Sequence, residues 1–279
     1  MIQGVARQNI EEEIVARIVK NCPSEYDNSE RVLLIDADSI MYTATYFPED
    51  SLLEFPTEEE QIEEAKYRAR TKIQEIQNNV EEWFNIVETY VFIGGKNNFR
   101  YKVFPEYKAN RKDTVKSPLL PIIREYMLEE LNTIESHGGE ADDYVIDGIS
   151  ISKGNCVVSS IDKDVLYHSP NIPLYDYRSH DDVMGEFKYI STNQSRLAIA
   201  TQIVTGDTSD GIPGAKGVGK AWCEKNMHLG MTNYQFIKAI LKAYLKATNN
   251  DSSEAKKQIR LYYKVLKLYT IEEMNNLWK

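Results

Sequence analysis

Histidine is scarce in this 279-residue chain. The four that occur, His137, His168, His180 and His228, stand far apart. That scarcity argues against an imidazole-based zinc site, and all four are expected to be structural or exposed. Cysteine is rarer still: Cys22, Cys156 and Cys223 are odd in number, widely separated and outside any ligand spacing. They read as free thiols in a reducing cytoplasm. No apolar run approaches the length of a membrane span, and the opening residues MIQGVARQNIEEEIVARIVKN lack the apolar core of a secretory signal. A membrane partner is therefore not expected. Internal repeats and low-complexity linkers are also missing. A net positive charge is lacking too: the chain carries −10, with a pI of about 5.1. That balance argues against holding nucleic acid by bulk charge, but not by a local patch.

What is present fits an ordinary globular protein, with 42% hydrophobic residues and a mean hydropathy of −0.48. The length suits one large α/β domain with a small helical appendage. Apolar runs at 31–36, 89–93, 155–160 and 171–177 read as buried strands. Helices are expected at 8–21, from Ser39 to Tyr46, from Glu58 to Phe84 and from Pro118 to Leu131, with a Gly turn followed by a helix over 138–152. From Thr192 onward only helices with Gly-rich or polar breaks appear. Strands alternating with helices predict a mostly parallel central sheet flanked by helices, followed by a helical C-terminal region. The division expected is an α/β core over 1–190 and a helical region over 191–279.

Four acidic segments punctuate this layout. Asp36 closes the first strand, and Glu140, Asp142 and Asp143 open a helix after Gly138-Gly139. Asp162 and Asp164 follow the third strand, and Asp207 and Asp210 precede the turn GIPGAKGVG. Ligands of open α/β sheets bind beyond the carboxyl ends of strands, where Asp36, Asp162 and Asp164 must lie. Carboxylates converging without histidine or thiol call for hard divalent cations such as Mg²⁺ or Mn²⁺. Two such ions ~4 Å apart activate a water and stabilise the leaving oxygen of a phosphodiester. Taken singly, each group also fits a helix cap or a turn.

Two further segments suit phosphates. Residues 96–116 carry Lys96, Arg100, Lys102, Lys108, Arg111, Lys112 and Lys116 against Glu106 and Asp113, interleaved with aromatics. A solvated loop would have the same composition. The run Lys216-Gly217-Val218-Gly219-Lys220 opens a helix and exposes backbone N–H groups to an anion, although a plain helix–helix turn reads alike.

In these motifs, in this order, the chain resembles the structure-specific 5′ nucleases: flap endonucleases, the 5′-nuclease domains of bacterial DNA polymerases and the T-odd phage 5′→3′ exonucleases. The phage enzymes are most similar through PEYKANRK (105–112), SSIDKD (159–164) and VTGDTSDGIPG (204–214). The resemblance covers roughly residues 31–225 and implies a PIN-like nuclease core that cuts DNA, with RNA primers in RNA–DNA hybrid as a further substrate. It implies that Asp36, Glu140, Asp142 and Asp143 serve a first metal, and Asp162, Asp164, Asp207 and Asp210 a second. Tyr107 would stack on a terminal base, and Lys108 and Arg111 would contact the scissile phosphate beneath a gateway near 96–118. A helix–three-turn–helix element near 207–228 would grip duplex DNA through Lys216, Gly217, Gly219 and Lys220, with a monovalent cation on its carbonyls. The protein expected is a monomer working on 5′ ends, flaps and nicked or gapped duplex in the cytoplasm.

The pattern is departed from in three places. The family's second strand usually ends in a first-metal aspartate, yet here it reads Tyr90-Val91-Phe92-Ile93-Gly94-Gly95. Asp38, two residues past Asp36, either replaces that acid or N-caps the helix beginning near Ser39. Lys220 follows Gly219 directly, one residue earlier than is usual in the family. The short stretch from Arg111 to Pro118 leaves little chain for a tall arch, so a low or partly disordered gateway is expected. The altered corner leaves a second expectation open, a homologue that binds junctions without cutting them.

Overall fold

The structure is a computed structural model that describes residues 25–49, 53–112, 114–180 and 183–277. The expected N-terminal helix at 8–21, Cys22 and Asp113 lie outside these residues. The centre is a six-stranded sheet of order β3-β2-β1-β4-β5-β6. Its strands are β1 (Asp27–Asp36), β2 (Phe84–Ile93), β3 (Ile134–Glu135), β4 (Cys156–Ser159), β5 (Leu174–His180) and β6 (Val183–Lys188). All neighbours pair parallel except β5 and β6, which are antiparallel.

Side chains alternate between the two faces of a strand, so a sheet covered on both sides needs apolar residues at every position. In β1, Leu33 and Ile35 enter one core while Leu34 enters the other, and β4 divides Val157 from Cys156 and Val158 likewise. The first face is covered by α1 (Asp38–Ala44), α2 (Glu58–Glu81) and α4 (Leu120–Glu130). Helix α2 starts at a capping box between Thr57 and Glu60 and buries Ala65, Ala69, Ile73, Ile76 and Val80 at helical spacing. It ends three residues short of the expected Phe84, which instead opens β2 against Arg31 and Phe187.

The other face is covered by α5 (Ala141–Ile151), α6 (Lys163–His168) and α7 (Thr192–Thr205). Beyond them lie α8 (Lys220–Asn226), α9 (Asn233–Ala247), α10 (Ser252–Leu266) and α11 (Ile271–Asn276). Leu34 and Val158 of the sheet share one hydrophobic cluster with Leu197, Tyr244 and Val265, so the C-terminal helices pack onto the same core. A short helix α3 (Arg100–Val103) and a single 3-10 turn (Ala109–Arg111) lie in the basic segment. Cys156 and Cys223 are free and buried. Among the described residues no helix is long and apolar enough to cross a membrane.

Candidate functional site

Strands β1 and β4 lie side by side where the connections run off in opposite directions, which opens a crevice at their carboxyl ends. A cavity of about 680 Å³ occupies it. Nine carboxylates line that cavity: Asp36, Asp38, Glu140, Asp142, Asp162, Asp164 and Asp210, with Asp176 and Glu186 beside Arg178 and Lys188. Each arrives by simple local chemistry. Asp36 ends β1 and accepts from Ser160 Oγ at 3.0 Å. Asp162 N-caps α6, accepting from Asp164 N at 2.7 Å. Glu140 stands at the N-cap of α5. Asp210 sits in the turn after α7, whose carbonyl accepts from Lys108 N at 2.8 Å.

The electrostatics of this group are unresolved by the protein alone. Burial, then Asp38 and Asp162, pushes the Asp36 carboxyl up to about 7. Burial and then Asp162 push Asp164 to about 7 as well. Burial, followed by Glu140 and Asp143, also raises Asp142 well above the ordinary carboxylate range. Glu140 is lowered: against burial, Lys108 and Arg100 hold it charged, and Arg178 and Lys188 do the same for Asp176. Lys108 Nζ lies 2.5 Å from Glu140 Oε1 and 3.8 Å from Asp210 Oδ1. Burial works against its charge, and Glu140 and Asp210 override it, so its pKa rises. Arg111, half exposed, donates to Asp210 Oδ1 at 3.1 Å and to Ser209 O at 3.2 Å.

Several of the expected site residues are placed away from open cavity space. Tyr107 offers no stacking face, being only 1% exposed. Its hydroxyl donates to Glu140 at 2.7 Å or Asp210 at 3.0 Å, and its ring packs edge-on to Tyr101. Asp143 is not brought to the cavity. It is fully buried and paired with Arg100 through two hydrogen bonds of 2.6 and 2.9 Å, and it also accepts from Glu140 N and Tyr269 N, each at 2.9 Å. Arg100, counted above among phosphate-facing cations, is therefore interior, 1% exposed, and donates also to Val265 O and Lys267 O. Asp207 lies behind the cavity wall. Burial opposes its charge, but Lys163, Ser209 and Gln202 hold its carboxyl well below the ordinary range.

Asp38 is not an N-cap. That position of α1 is Ala37, and no side chain caps it. Asp38 Oδ1 instead accepts from Gly94 N at 2.6 Å. A Cβ on Gly94 would meet Asp38 Oδ2 at 2.7 Å, so this carboxylate fills the space that a side chain at the end of β2 would need. Gly95 is required for another reason: its Cβ would fall 1.7 Å from Ser136 O. Sequence reasoning missed Gln202, whose amide donates to both Asp164 (2.7 Å) and Asp207 (3.1 Å), and missed Arg178 and Lys188 on the cavity wall. No spacing marks these three, since β5, β6 and α7 meet the acids only through the fold.

The segment expected to form the gateway holds short α3 and the 3-10 turn, with Asn110 Nδ2 donating to Thr208 O at 2.9 Å. Lys216, Gly217, Gly219 and Lys220 lie apart from the cavity lining. Gly217 takes a φ of +73°, where an L side chain is strained, and a Cβ on Gly217 or Gly219 would point into open space. Val218 between them is buried and anchors the turn.

All donors facing the cavity are oxygens, and their mutual repulsion is the state a hard divalent cation relieves. Among the described residues no three of them already enclose a single point as a closed cage. An all-oxygen donor set suits a hard divalent ion.

A family model described as "5′-3′ exonuclease, N-terminal resolvase-like domain" matches residues 31–187. A 5′-3′ exonuclease of Aquifex aeolicus is 28% identical over 181 residues, 61% of each chain. Flap endonuclease Xni of Psychromonas ingrahamii is 27% identical over 143 residues, 46% of this chain and 52% of the relative. The chain thus spans just over half the length of these curated relatives. The fold is shared with the phage T5 D15 protein co-crystallized with metal ions, at TM-score 0.58 and 15% identity, covering 88% of this chain and 96% of that one. It is shared too with the catalytic core of Rad2 in complex with DNA substrate, at TM-score 0.50 and 15% identity, covering 89% and 77%.

Proposed function

This chain belongs to the 5′-3′ exonucleases with an N-terminal resolvase-like domain, and from that premise we propose that it hydrolyses DNA phosphodiester bonds from 5′ ends and at 5′-flap junctions with two Mg²⁺ or Mn²⁺ ions. The observation that carries this reading is the meeting of carboxylates from four sequence segments in one cavity, with Lys108 and Arg111 beside them. Bound divalent ions would supply a nucleophilic water and neutralise charge on the phosphate. Asp36, Asp38, Glu140 and Asp142 would hold the first, with Asp38 supplying the carboxylate that β2 lacks. Asp162, Asp164 and Asp210 would hold the second.

Asp143 and Asp207 act from behind, as positioning residues. Asp143 fixes the N-terminus of α5 through Glu140 N, and Asp207 holds the turn that carries Asp210. Lys108 and Arg111 are paired with acids and hence already aimed at the cavity, where an entering phosphate would compete for them. Their charge then stabilises the transferring phosphoryl group. Tyr107 orients Glu140 and Asp210 rather than touching a base. The turn at Lys216, Gly217, Gly219 and Lys220 binds duplex backbone, with a monovalent cation on its carbonyls, as a helix–three-turn–helix element. The task is removal of 5′ flaps and of RNA primers in replication, performed in the cytoplasm.

A labelled 5′-flap duplex incubated with Mg²⁺, then with Mn²⁺, tests the reading. Product with a 5′-phosphate is expected from the wild type, and none from Asp162→Asn, which should still bind duplex. The glycines at 94 and 95, which leave no carboxylate at the end of β2, favour a second reading, a junction-binding homologue that does not cut. Tight flap binding with no product under either ion would decide for it.

A further inference from the structure

The charge of this chain is unevenly divided. Residues 1–190 sum to −16, whereas residues 191–279 carry thirteen Lys and Arg against seven Asp and Glu, a net of +6. Helix α9 concentrates part of that excess. Its fifteen residues include Lys238, Lys242 and Lys246 and no acid. The three recur at i,i+4, so they form one stripe at steps of about 6 Å. All three are exposed, on the side away from buried Phe236, Ala239, Ala243 and Tyr244.

Like charges at this spacing repel and weaken a helix. Elsewhere the chain relieves such repulsion: in α2, Lys66, Arg68 and Lys72 pair with Glu63, Glu64 and Glu75. On α9 no carboxylate of the described residues forms an ion pair with the stripe. Lys238 lies over the Tyr234 ring at 4.4 Å, and Lys242 donates to Asn226 Oδ1 at 3.2 Å. That last contact ties the stripe to the end of α8, which begins at the Gly217–Gly219 turn about 10 Å away along seven helical residues. The lysines border a shallow groove with Leu241, Leu245 and Asn249. A row of cations kept without acids, and continuous with a backbone-exposing turn, calls for an anionic partner of regular spacing.

We propose that Lys238, Lys242 and Lys246 form a second phosphate track that seats one strand of duplex DNA by its backbone, without reading bases. The proposal rests on the nucleic-acid reading above. Phosphates recur about every 3.4 Å of axis along one strand, so a lysine every 6 Å faces roughly alternate phosphates. A flexible ammonium suits such contacts, because it needs charge and reach rather than a fixed bidentate geometry. An acidic protein segment would find the same charge, but then loss of the lysines would leave DNA affinity unchanged.

The test is fluorescence anisotropy of a labelled flap duplex in EDTA, from 50 to 200 mM salt, with the full chain and the variant Lys238→Gln/Lys242→Gln/Lys246→Gln. Glutamine keeps helix propensity and volume. The slope of log K against log salt should become shallower by about 1 per lysine, and affinity should fall roughly tenfold or more, alike for unrelated sequences. Lys66→Gln/Lys72→Gln on α2 should change neither. An unchanged slope in a variant with wild-type circular dichroism overturns the track. Should the triple variant fail to fold, Lys246→Gln alone must still flatten the slope by about 1. Flap cleavage by the wild type is read separately. A lysine-dependent slope in a protein that cuts nothing sinks the nuclease reading alone, whereas cleavage with an unchanged slope sinks the track alone.

Discussion

Asp142 and Asp143 are neighbours in the chain and opposites in the fold. Asp143 is sealed in the interior with Arg100 against it, two backbone N–H groups completing its shell. Asp142 faces the cavity, where burial, Glu140 and Asp143 make its charge costly. The same contrast divides Asp207, held charged by Lys163, from Asp164, pushed up to about 7. Asp143 and Asp207 are ion-paired behind the wall, whereas Asp36, Asp142 and Asp164 face the cavity with no ion pair among the described residues. Desolvation without a cation from its own chain disfavours the charge of such a carboxylate, a cost that a cation from outside would relieve. The clamp also has reach: Arg100 bonds Val265 O and Lys267 O, so it ties the end of α10 to the helix that carries Glu140 and Asp142.

The sharpest way to break this division is to remove the interior partner. Arg100→Ala leaves Asp143 charged, buried and without its guanidinium, and should cost about 3–5 kcal/mol of stability. Urea denaturation reads the loss, and a cost within about 0.5 kcal/mol would mean that the clamp is ornamental. The cavity should respond with the opposite sign. Asp164 has a folded pKa of about 7 against a usual value near 3.8. Its folded state therefore binds the proton more tightly, and its contribution to metal-free stability falls as pH rises from about 4 to about 7. The wild-type minus Asp164→Asn difference, measured in EDTA at pH 5 and pH 7.5, isolates that term. It should shift against the wild type by roughly 2 kcal/mol or more across the interval. Added Mg²⁺ should shrink the gap, and a gap independent of both pH and metal would refute the unpaired assignment.

Smaller effects sharpen the cavity side. Lys108→Ala should lower single-turnover cleavage of a flap substrate about 10²- to 10³-fold, while duplex affinity in EDTA falls far less. Equal losses in both would reduce Lys108 to a binding contact. Asp38→Asn should weaken divalent-ion binding at the first site by about tenfold, seen as a raised Mn²⁺ midpoint in titration calorimetry. An unmoved midpoint would return Asp38 to the role of a brace for Gly94 N.

Much of the architecture could be read without coordinates. The runs at 31–36, 89–93 and 155–160 have apolar centres because β1, β2 and β4 are covered on both faces, and such burial leaves a readable pattern. Strand β3 has only two residues, too few to show any period, and β6 is an antiparallel edge of mixed polarity. Phe84 continued the apolar stripe of α2 on paper because a helix stripe and a strand start share apolar residues. At the site, strand-end position marked Asp36, Asp162 and Asp164. Arg100 was misplaced because charge counts cannot tell a guanidinium that reaches solvent from one that finds a carboxylate inside.

Residue order thus determined the alternation of strands and helices, the acids at strand ends and helix starts, and the glycines of the 217–219 turn. These are local consequences of periodicity, capping and backbone freedom. Which acids stay paired was decided only in three dimensions. Arg100 is 43 residues from Asp143, Gly94 is 56 from Asp38, and Gln202 is 38 from Asp164. Desolvation depends on what packs around a group, and a carboxylate's charge state follows from neighbours that no spacing along the chain reveals.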